Sequence, residues 1–554
     1  MTTAGPLHRG PVFFMPPRIV YNWVPMTEKI KTFMRSGAAV PAGLFLGFLL
    51  LYGLTLDKAY VFDSLLYALS IRQPLFDGPV TSLLSWNHFL WFPALRSVYA
   101  GLEALGFSPD AYRFIQWWNA VVGAALAVLL FRFLARYIHA RLALTLACLA
   151  GVSHLVWLRA TSGDPYLTGT LLSVAACYFV TVRPSWRGLP LFWLAAPLAV
   201  LAAYFHFGNI ILVPAAALAA VPGRGPEGRR EGAVILALSA FLLLPYVLFY
   251  ELWTPAGFRE WLVWGSGQVN GFLPGLSASG QFDLRFLANL PTGFATLARS
   301  AVAFQAGGPL VTGLAALAAV SLLGWAVFDR SRAAFDREAA APALIFFMAI
   351  TGFFFVWIPG NIFYWASPLV FLVLSAGLLF KDRLRSPPPP RARIFIPVFG
   401  AVFALVNFRG AILPALRGLE HKAAVEFCRD LGRATPAGSV ILISGVSDGF
   451  LKVGIPYFAR RRMFPLDLVI VQFHGTGQDP LAALKFRLDG YLDRGVPVYM
   501  LDDVLRNKDA YEGWGVVRER LDAFLGGYRL EAAALAGAGE NPAALYRLLP
   551  ARPH

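Results

Sequence analysis

The stretch "AAVPAGLFLGFLLLYGLTLDKAYVFDSLLYALSIRQ", residues 38–73, carries no charge up to Leu56 and then presents Asp57 and Asp63, with Tyr60, Tyr67 and Arg72 close by. An apolar run of about 20 residues is long enough to cross a bilayer as a helix. The two acids therefore fall where a membrane helix leaves the lipid, and a carboxylate there is costly unless solvated or paired. Lys29, Lys31 and Arg35 precede the run and no small-residue cleavage site follows it. It reads as an uncleaved first span and not as a removed signal peptide.

Working outward, the same pattern recurs. Of the 554 residues, 57% are hydrophobic and 14% charged, against about a quarter charged in soluble domains. The apolar residues cluster in runs of spanning length, so the chain reads as a polytopic helical membrane protein. The formal net charge is +16, but the basic residues sit in short loops and not on one face of a soluble domain, which excludes a nucleic-acid partner. Cys148, Cys177 and Cys428 suggest no disulfide framework.

Eleven spans are expected, near 38–56, 116–135, 141–159, 165–182, 189–204, 207–221, 232–251, 307–328, 341–358, 362–380 and 394–414. One set of connections holds Arg132, Arg136 and Arg141; Arg183 and Arg187; Arg224, Arg229 and Arg230; Arg330, Arg332 and Arg337; and the basic run from Lys381 to Arg393. The opposite short connections, at 160–164, 205–206 and 359–361, hold almost nothing basic. Arginine-rich loops stay in the cytoplasm. The N-terminal segment, 1–37, is then cytoplasmic, and the loops 57–115 and 252–306 lie outside with the tail. The location expected is the inner membrane of a bacterium.

The first outer loop holds amphipathic stretches such as "SLLSWNHFLWFPALRSVYAGLEALGF", residues 82–107, which suit helices lying flat on the outer leaflet or packing on neighbouring spans. From about 416 to 554 the chain changes character. "SVILIS", "LDLVIVQF", "VPVYMLD" and "ALYRLL" read as strands, with helices at 480–493 and 514–525 between them. The alternation predicts a small α/β domain with a mainly parallel sheet. The expected fold is an all-α membrane domain over 38–415, of about 11 transmembrane helices, followed by an extracytoplasmic α/β domain.

Polar groups gather at each outer connection. Asp63 precedes "SLLYALSIR" and could be a helix cap; Asp57, next to Lys58, reads as boundary polarity. "LRATSGDPYLTGTLLS", residues 158–173, places Arg159, Asp164 and Tyr166 at the same depth, where Asp164-Pro165 could again be a cap. His206 and Asn209 in "YFHFGN", and Asn361, Tyr364 and Trp365 in "WIPGNIFYW", join them. The chain lacks an ATP motif, an H-E-x-x-H and a G-x-S-x-G. Lipid-linked substrates suit that compartment. A polyprenyl-phosphate sugar is already activated; it needs one base for the acceptor hydroxyl and donors or cations to hold the departing phosphate. A lipid-linked glycan transporter and a non-enzymatic assembly subunit are the rival readings. A transporter needs polar groups along a path through the membrane, whereas here they collect on one side.

"FDSLLYALSIRQPLFD…WNHFLWFPALRSVYAGLEALG" resembles the first outer loop of GT-C fold glycosyltransferases. That polyprenyl-phosphate-sugar-dependent class includes protein O-mannosyltransferases and the aminoarabinose transferase of lipid A. The resemblance implies that Asp63 is the catalytic carboxylate and Asp164 the acid opening the fourth span. It aligns Tyr67 and His88 with a tyrosine and a histidine of that loop, and likens "NIFYWASPLVFLVL" to a segment that contacts the lipid phosphate. Tyr67, Arg72, His88, Arg159, Tyr166, His206, Asn361 and Tyr364 are the expected substrate-binding residues; Arg259 and Arg299 are further candidates for the cation. Asp63 is followed by Ser64 where the family has an adjacent Asp-Glu pair, Pro93 is displaced from His88, and Asn361 stands where a cation is common. The implied partners are a polyprenyl-phosphate-linked sugar, an extracytoplasmic acceptor and the bilayer. No cofactor is assigned. A divalent metal stays open, because the outer His and Asp positions are too scattered to define a ligand set.

Overall fold

The computed structural model describes residues 38–72, 88–253, 290–303, 337–357, 360–388, 390–418, 421–446, 449–473, 477–533 and 544–550. The chain divides into two units between Gly43 and Leu44. The helical bundle from Leu44 onward and the C-terminal sheet both belong to the second.

Helices stand where the apolar runs predict them, at Ala39–Leu54, Ala111–Leu134, Tyr166–Val182, Ala195–Phe205, Leu212–Ala219, Gly225–Trp253, Arg337–Trp357, Ala366–Leu379 and Pro390–Asn407. The third run is two helices, Ala140–Gly151 and His154–Thr161, bent by 63°. The run 307–328 and most of the loop 252–306, Arg259 included, lie outside the described residues. Among the described residues three helices are long and apolar enough to cross a membrane, Ala111–Leu134 and Gly225–Phe249 among them, and the bent pair would make a fourth. Six further apolar helices among the described residues are 10–17 residues long. Counting apolar runs thus expects more full-length spans than the described helices supply. Proline and turn residues cut the runs: Phe192–Leu194 and Phe207–Ile211 are 3-10 turns leading into their helices.

Ala111–Leu134 is the pillar, packed on both halves of the bent pair and on Tyr166–Val182. It buries small residues, Ala120, Gly123, Ala124 and Ala127, which let neighbouring backbones approach closely. A Cβ on Gly123 would lie 2.8 Å from that of Ala160 and 2.9 Å from the ring of Tyr52. Away from the site, the arginine-rich loops meet. His139 N–H donates to the Leu384 carbonyl (2.8 Å), Arg183 pairs with Glu231, and the Arg136 guanidinium lies 5.8 Å from the Tyr178 ring.

The C-terminal region holds a five-stranded sheet in the order Arg462–Pro465, Val440–Ile443, Val498–Leu501, Leu545–Pro550, Tyr528–Ala533. The first two pairings are parallel and the last two antiparallel, so the sheet is mixed where a mainly parallel one was expected. "LDLVIVQF" is the helix Leu466–Phe473, not a strand. Leu466, Val469 and Ile470 are buried while Leu468 and Val471 are about half exposed, an i, i+3, i+4 stripe that only a helix presents to one side. The edge strands Arg462–Pro465 and Tyr528–Ala533 were not expected, because arginine, proline and glutamate interrupt their apolar alternation.

The two helices of the first loop, Phe62–Arg72 and Trp91–Ala104, bury Leu65, Trp91 and Leu95 in one core with Tyr112, Val425 and Tyr457. Packing on neighbours, and on the C-terminal domain, describes their apolar faces.

Asn407 ties three backbones together where helices break. Its Nδ2 donates to the carbonyls of Val152 and Ala301, both at 3.0 Å, and its Oδ1 accepts from Ala303 N–H (2.9 Å). Asn407→Leu strands three buried backbone groups. It is expected to cost about 2–4 kcal/mol, read as a lower midpoint of thermal unfolding in detergent, while Asn407→Gln at the same position recovers part of the loss.

Candidate functional site

The turn after the first helix is pinned from several sides. Asp57 N–H donates to the Thr161 carbonyl (3.0 Å), and Lys58 N–H to that of Ala415 (3.1 Å). The Asp57 carbonyl accepts from Gln116 Nε2 (2.7 Å) and Arg113 Nη1 (3.2 Å). Asp57 is 2% exposed, and its carboxylate accepts from Ala59 N–H (2.6 Å). Burial pushes that carboxyl up to about 6, against the pull of Arg159 and Arg113. Tyr60 sits at φ 51°. A non-glycine residue there costs about 1–2 kcal/mol and persists only where its surroundings enforce it.

The connection 162–165 is built around a buried ion pair between Arg159 and Asp164. Asp164 also accepts from Ser64 Oγ (3.1 Å) and Ser162 Oγ (2.8 Å). Asn119 Nδ2, on the pillar helix, donates to the carbonyls of Ser162 (2.8 Å) and Asp164 (2.6 Å). The cap role that the sequence allows for Asp164 is therefore not taken: Pro165 is the cap position and no side chain bonds there. The Arg159 guanidinium lies 4.2 Å from the Phe363 ring centre and 5.6 Å from that of Tyr166. Its Nε and Nη2 are buried and have no hydrogen-bond partner among the described residues.

Asp63 stands in the first turn of Phe62–Arg72, where the helix dipole favours an anion. Its carboxylate makes no hydrogen bond among the described residues, so it is not a cap. Burial raises its carboxyl above the ordinary 3.8, and the Arg159 charge pulls the other way. The phenols of Tyr67, Tyr166 and Tyr364 all lie within its electrostatic reach.

Those three tyrosines form one aromatic cluster with His88 and His206. Tyr166 lies 5.0 Å from His206 and 5.2 Å from Tyr364, and His206 stacks on Tyr364 at 5.2 Å. The phenols of Tyr67 and Tyr364 both lie within electrostatic reach of that of Tyr166. His88 lies 5.5 Å from His206. A carbonyl can only accept, so His88 Nδ1–H donates to Phe205 O (3.0 Å), and Nε2 accepts from the Tyr67 hydroxyl at 3.4 Å. Burial pushes the His88 imidazole down to about 4, which keeps this tautomer neutral. His206 Nε2 is buried with no hydrogen-bond partner among the described residues.

The structure thus gathers Asp63, Tyr67, His88, Arg159, Asp164, Tyr166, His206 and Tyr364 from four separate parts of the chain. Asn361 caps the turn Ile362–Tyr364 by accepting from Phe363 N–H (3.1 Å). It holds Tyr364 in place from outside the cluster. Arg72 is not brought in: it bonds the carbonyls of Pro456 and Tyr457. Arg299 presents its carbonyl to His154 Nδ1 (2.7 Å). Asp57, which the sequence marks only as boundary polarity, belongs to this network, as do Ser64, Gln116 and Asn119. Gln116 and Asn119 leave a signal, as the polar residues of an otherwise apolar stretch of a span, three apart and so on one helix face. Among the described residues no group of three or more His, Cys, Asp or Glu side chains is arranged to hold a metal.

No family model matches the sequence, and no curated protein matches it. Solved structures match in fold. The chain is similar to ArnT from Cupriavidus metallidurans bound to undecaprenyl phosphate, with a TM-score of 0.52 at 14% identity, covering 92% of this chain and 98% of that one. The apo state of that protein gives 0.51 at 13% over the same shares. The Archaeoglobus fulgidus oligosaccharyltransferase in complex with Zn and sulfate gives 0.43 at 13%, over 90% and 72%. The cover of both chains nearly end to end in ArnT shows a shared fold, the GT-C fold that the first outer loop led one to expect.

Removing Asp164 leaves a buried guanidinium without its counter-charge. Asp164→Leu is expected to cost about 3–5 kcal/mol of stability, and Asp164→Leu with Arg159→Met to recover most of it, both read by thermal unfolding in detergent. His88 supplies a second expectation. Its folded value, about 4, lies below the ordinary 6.5, so its contribution is full above 6.5 and is lost as pH falls towards 4. Wild type is expected to lose unfolding midpoint between those values with a slope that His88→Gln lacks.

Proposed function

We propose that this chain is an integral-membrane glycosyltransferase that moves a sugar from a polyprenyl-phosphate carrier to an acceptor outside the cytoplasm, with Asp63 as the general base. The observation that carries the reading is the setting of Asp63. A half-buried carboxylate without a hydrogen bond among the described residues faces a guanidinium with two unpartnered donors and a cluster of phenols. The fold shared with a protein whose structure holds undecaprenyl phosphate supports it.

The chemistry needs few parts. The Asp63 carboxylate takes the proton of the acceptor hydroxyl as that oxygen attacks the anomeric carbon. The bond from that carbon to the phosphate oxygen breaks, and the polyprenyl phosphate leaves as an anion. A carboxyl raised towards the working pH is the stronger base. Arg159 Nε and Nη2, with the Tyr166 and Tyr364 hydroxyls, receive the phosphate as its charge grows. Asp164 holds Arg159 and the turn that carries it, and neutral His88 aims the Tyr67 hydroxyl. His206 Nε2, buried without a partner among the described residues, bonds a sugar hydroxyl in this reading.

Orientation follows from charge. The arginine-rich loops meet away from the site; arginine-rich loops stay in the cytoplasm, so the site and the sheet domain face outward. A bacterial inner membrane, with the N-terminus inside and residues 416–554 outside, suits that arrangement.

Asp63→Asn keeps the shape and loses the base. Transfer from a radiolabelled lipid-linked sugar pool is expected to fall by about 10²-fold or more, with insertion and unfolding midpoint unchanged and Asp63→Glu retaining part of the rate. Wild-type rates in Asp63→Asn would overturn the assignment.

A further inference from the structure

The core cluster that holds Phe62–Arg72 takes in side chains of the C-terminal domain, among them Tyr457, which lies outside that domain's own core clusters. Tyr457 belongs to the π-turn Ile455–Ala459, a local irregularity that recurs at functional positions. Its hydroxyl donates to Asp110 Oδ2 (2.6 Å) and accepts from Tyr112 N–H (3.1 Å). Its ring lies 4.8 Å beneath the Arg72 guanidinium, which donates to the Tyr457 carbonyl (3.3 Å) and the Pro456 carbonyl (3.1 Å).

Each partner leads back to the turn that carries Asp63. Arg72 closes the helix whose first turn holds Asp63. Asp110 caps the pillar helix through Arg113 N–H (3.0 Å), and Arg113 grips the Asp57 carbonyl. Phe458, the next residue after Tyr457, packs edge-on against Tyr60 at 5.1 Å, the residue held at positive φ. Both ends of the segment 57–72 are thus fastened to one turn of the C-terminal domain.

We propose that Tyr457 is a positioning residue through which the C-terminal domain sets the reach of the Asp63 carboxylate. Its catalytic consequence rests on the glycosyl-transfer reading above. Helix Phe62–Arg72 is short, and a turn bearing a strained residue relaxes when its clamp loosens. A displacement of about 1 Å at a reacting group costs on the order of 10²-fold in rate.

The test uses full-length Tyr457→Phe in detergent or nanodiscs. The ring stays over Arg72, so the fold is kept while the hydroxyl bonds are lost. The expected result is a kcat lower by about tenfold or more, a KM for the lipid-linked donor within about twofold, and faster amide exchange in residues 55–72 with exchange across 120–134 unchanged. Arg72→Lys, which keeps the charge and loses the paired bonds, is expected to fall between the two. An unchanged kcat overturns the proposal, even where the unfolding midpoint drops. So does unchanged exchange in 55–72. If wild type transfers no sugar from any lipid-linked donor, the glycosyl-transfer reading fails by itself, and the exchange comparison still decides whether Tyr457 sets this helix.

Discussion

The site depends on one buried ion pair. Arg159 and Asp164 face each other across a connection of four residues, taken out of water at the junction of two helices. Such a pair contributes little net stability by itself, since desolvation offsets most of the attraction. Its effect is geometric. Asp164 needs partners for its remaining lone pairs and draws in Ser64 and Ser162. Ser64 is the neighbour of Asp63, so the ion pair that anchors Arg159 also registers the helix bearing the second carboxylate. The approach is close: a Cβ on Gly163 would lie 2.8 Å from that of Ser64.

Two carboxylates thereby take different roles through environment alone. Asp164 is fully satisfied inside the protein. Asp63 keeps its lone pairs unused among the described residues, with a charge nearby and phenols around it. Neutral imidazoles suit that setting, because a second cation beside Arg159 would be repelled and would compete for Asp63. The His88 tautomer is set by a backbone carbonyl, which ties the Tyr67 hydroxyl to the end of a helix and not to a mobile side chain.

Much of this was legible in the residue order. Uncharged runs interrupted by arginine mark helices whatever their packing, because backbone groups in an apolar surround are satisfied most simply within a helix. Acids and aromatics collected at alternate connections mark one end of the bundle. The alternatives for Asp63 and Asp164 were not separable, since an acid before a helix serves equally as a cap, an ion-pair partner or a base. "LDLVIVQF" was ambiguous for a related reason. A continuous apolar octet satisfies both periods, and only the partner surface selects Leu466, Val469 and Ile470 as the buried set.

The sequence by itself determined the class of protein, the helical runs, the end where polar groups gather and eight of the side chains that meet there. Tertiary structure decided which of them touch. It assigned Asp164 to Arg159, sent Arg72 to the C-terminal domain, made Asn361 a cap and brought Asp57, with the unremarked Ser64 and Asn119, into the network. Composition and spacing report transfer energies, which depend on one residue at a time. A hydrogen-bond partner a hundred positions away is chosen only when helices pack and each buried polar group must find its match.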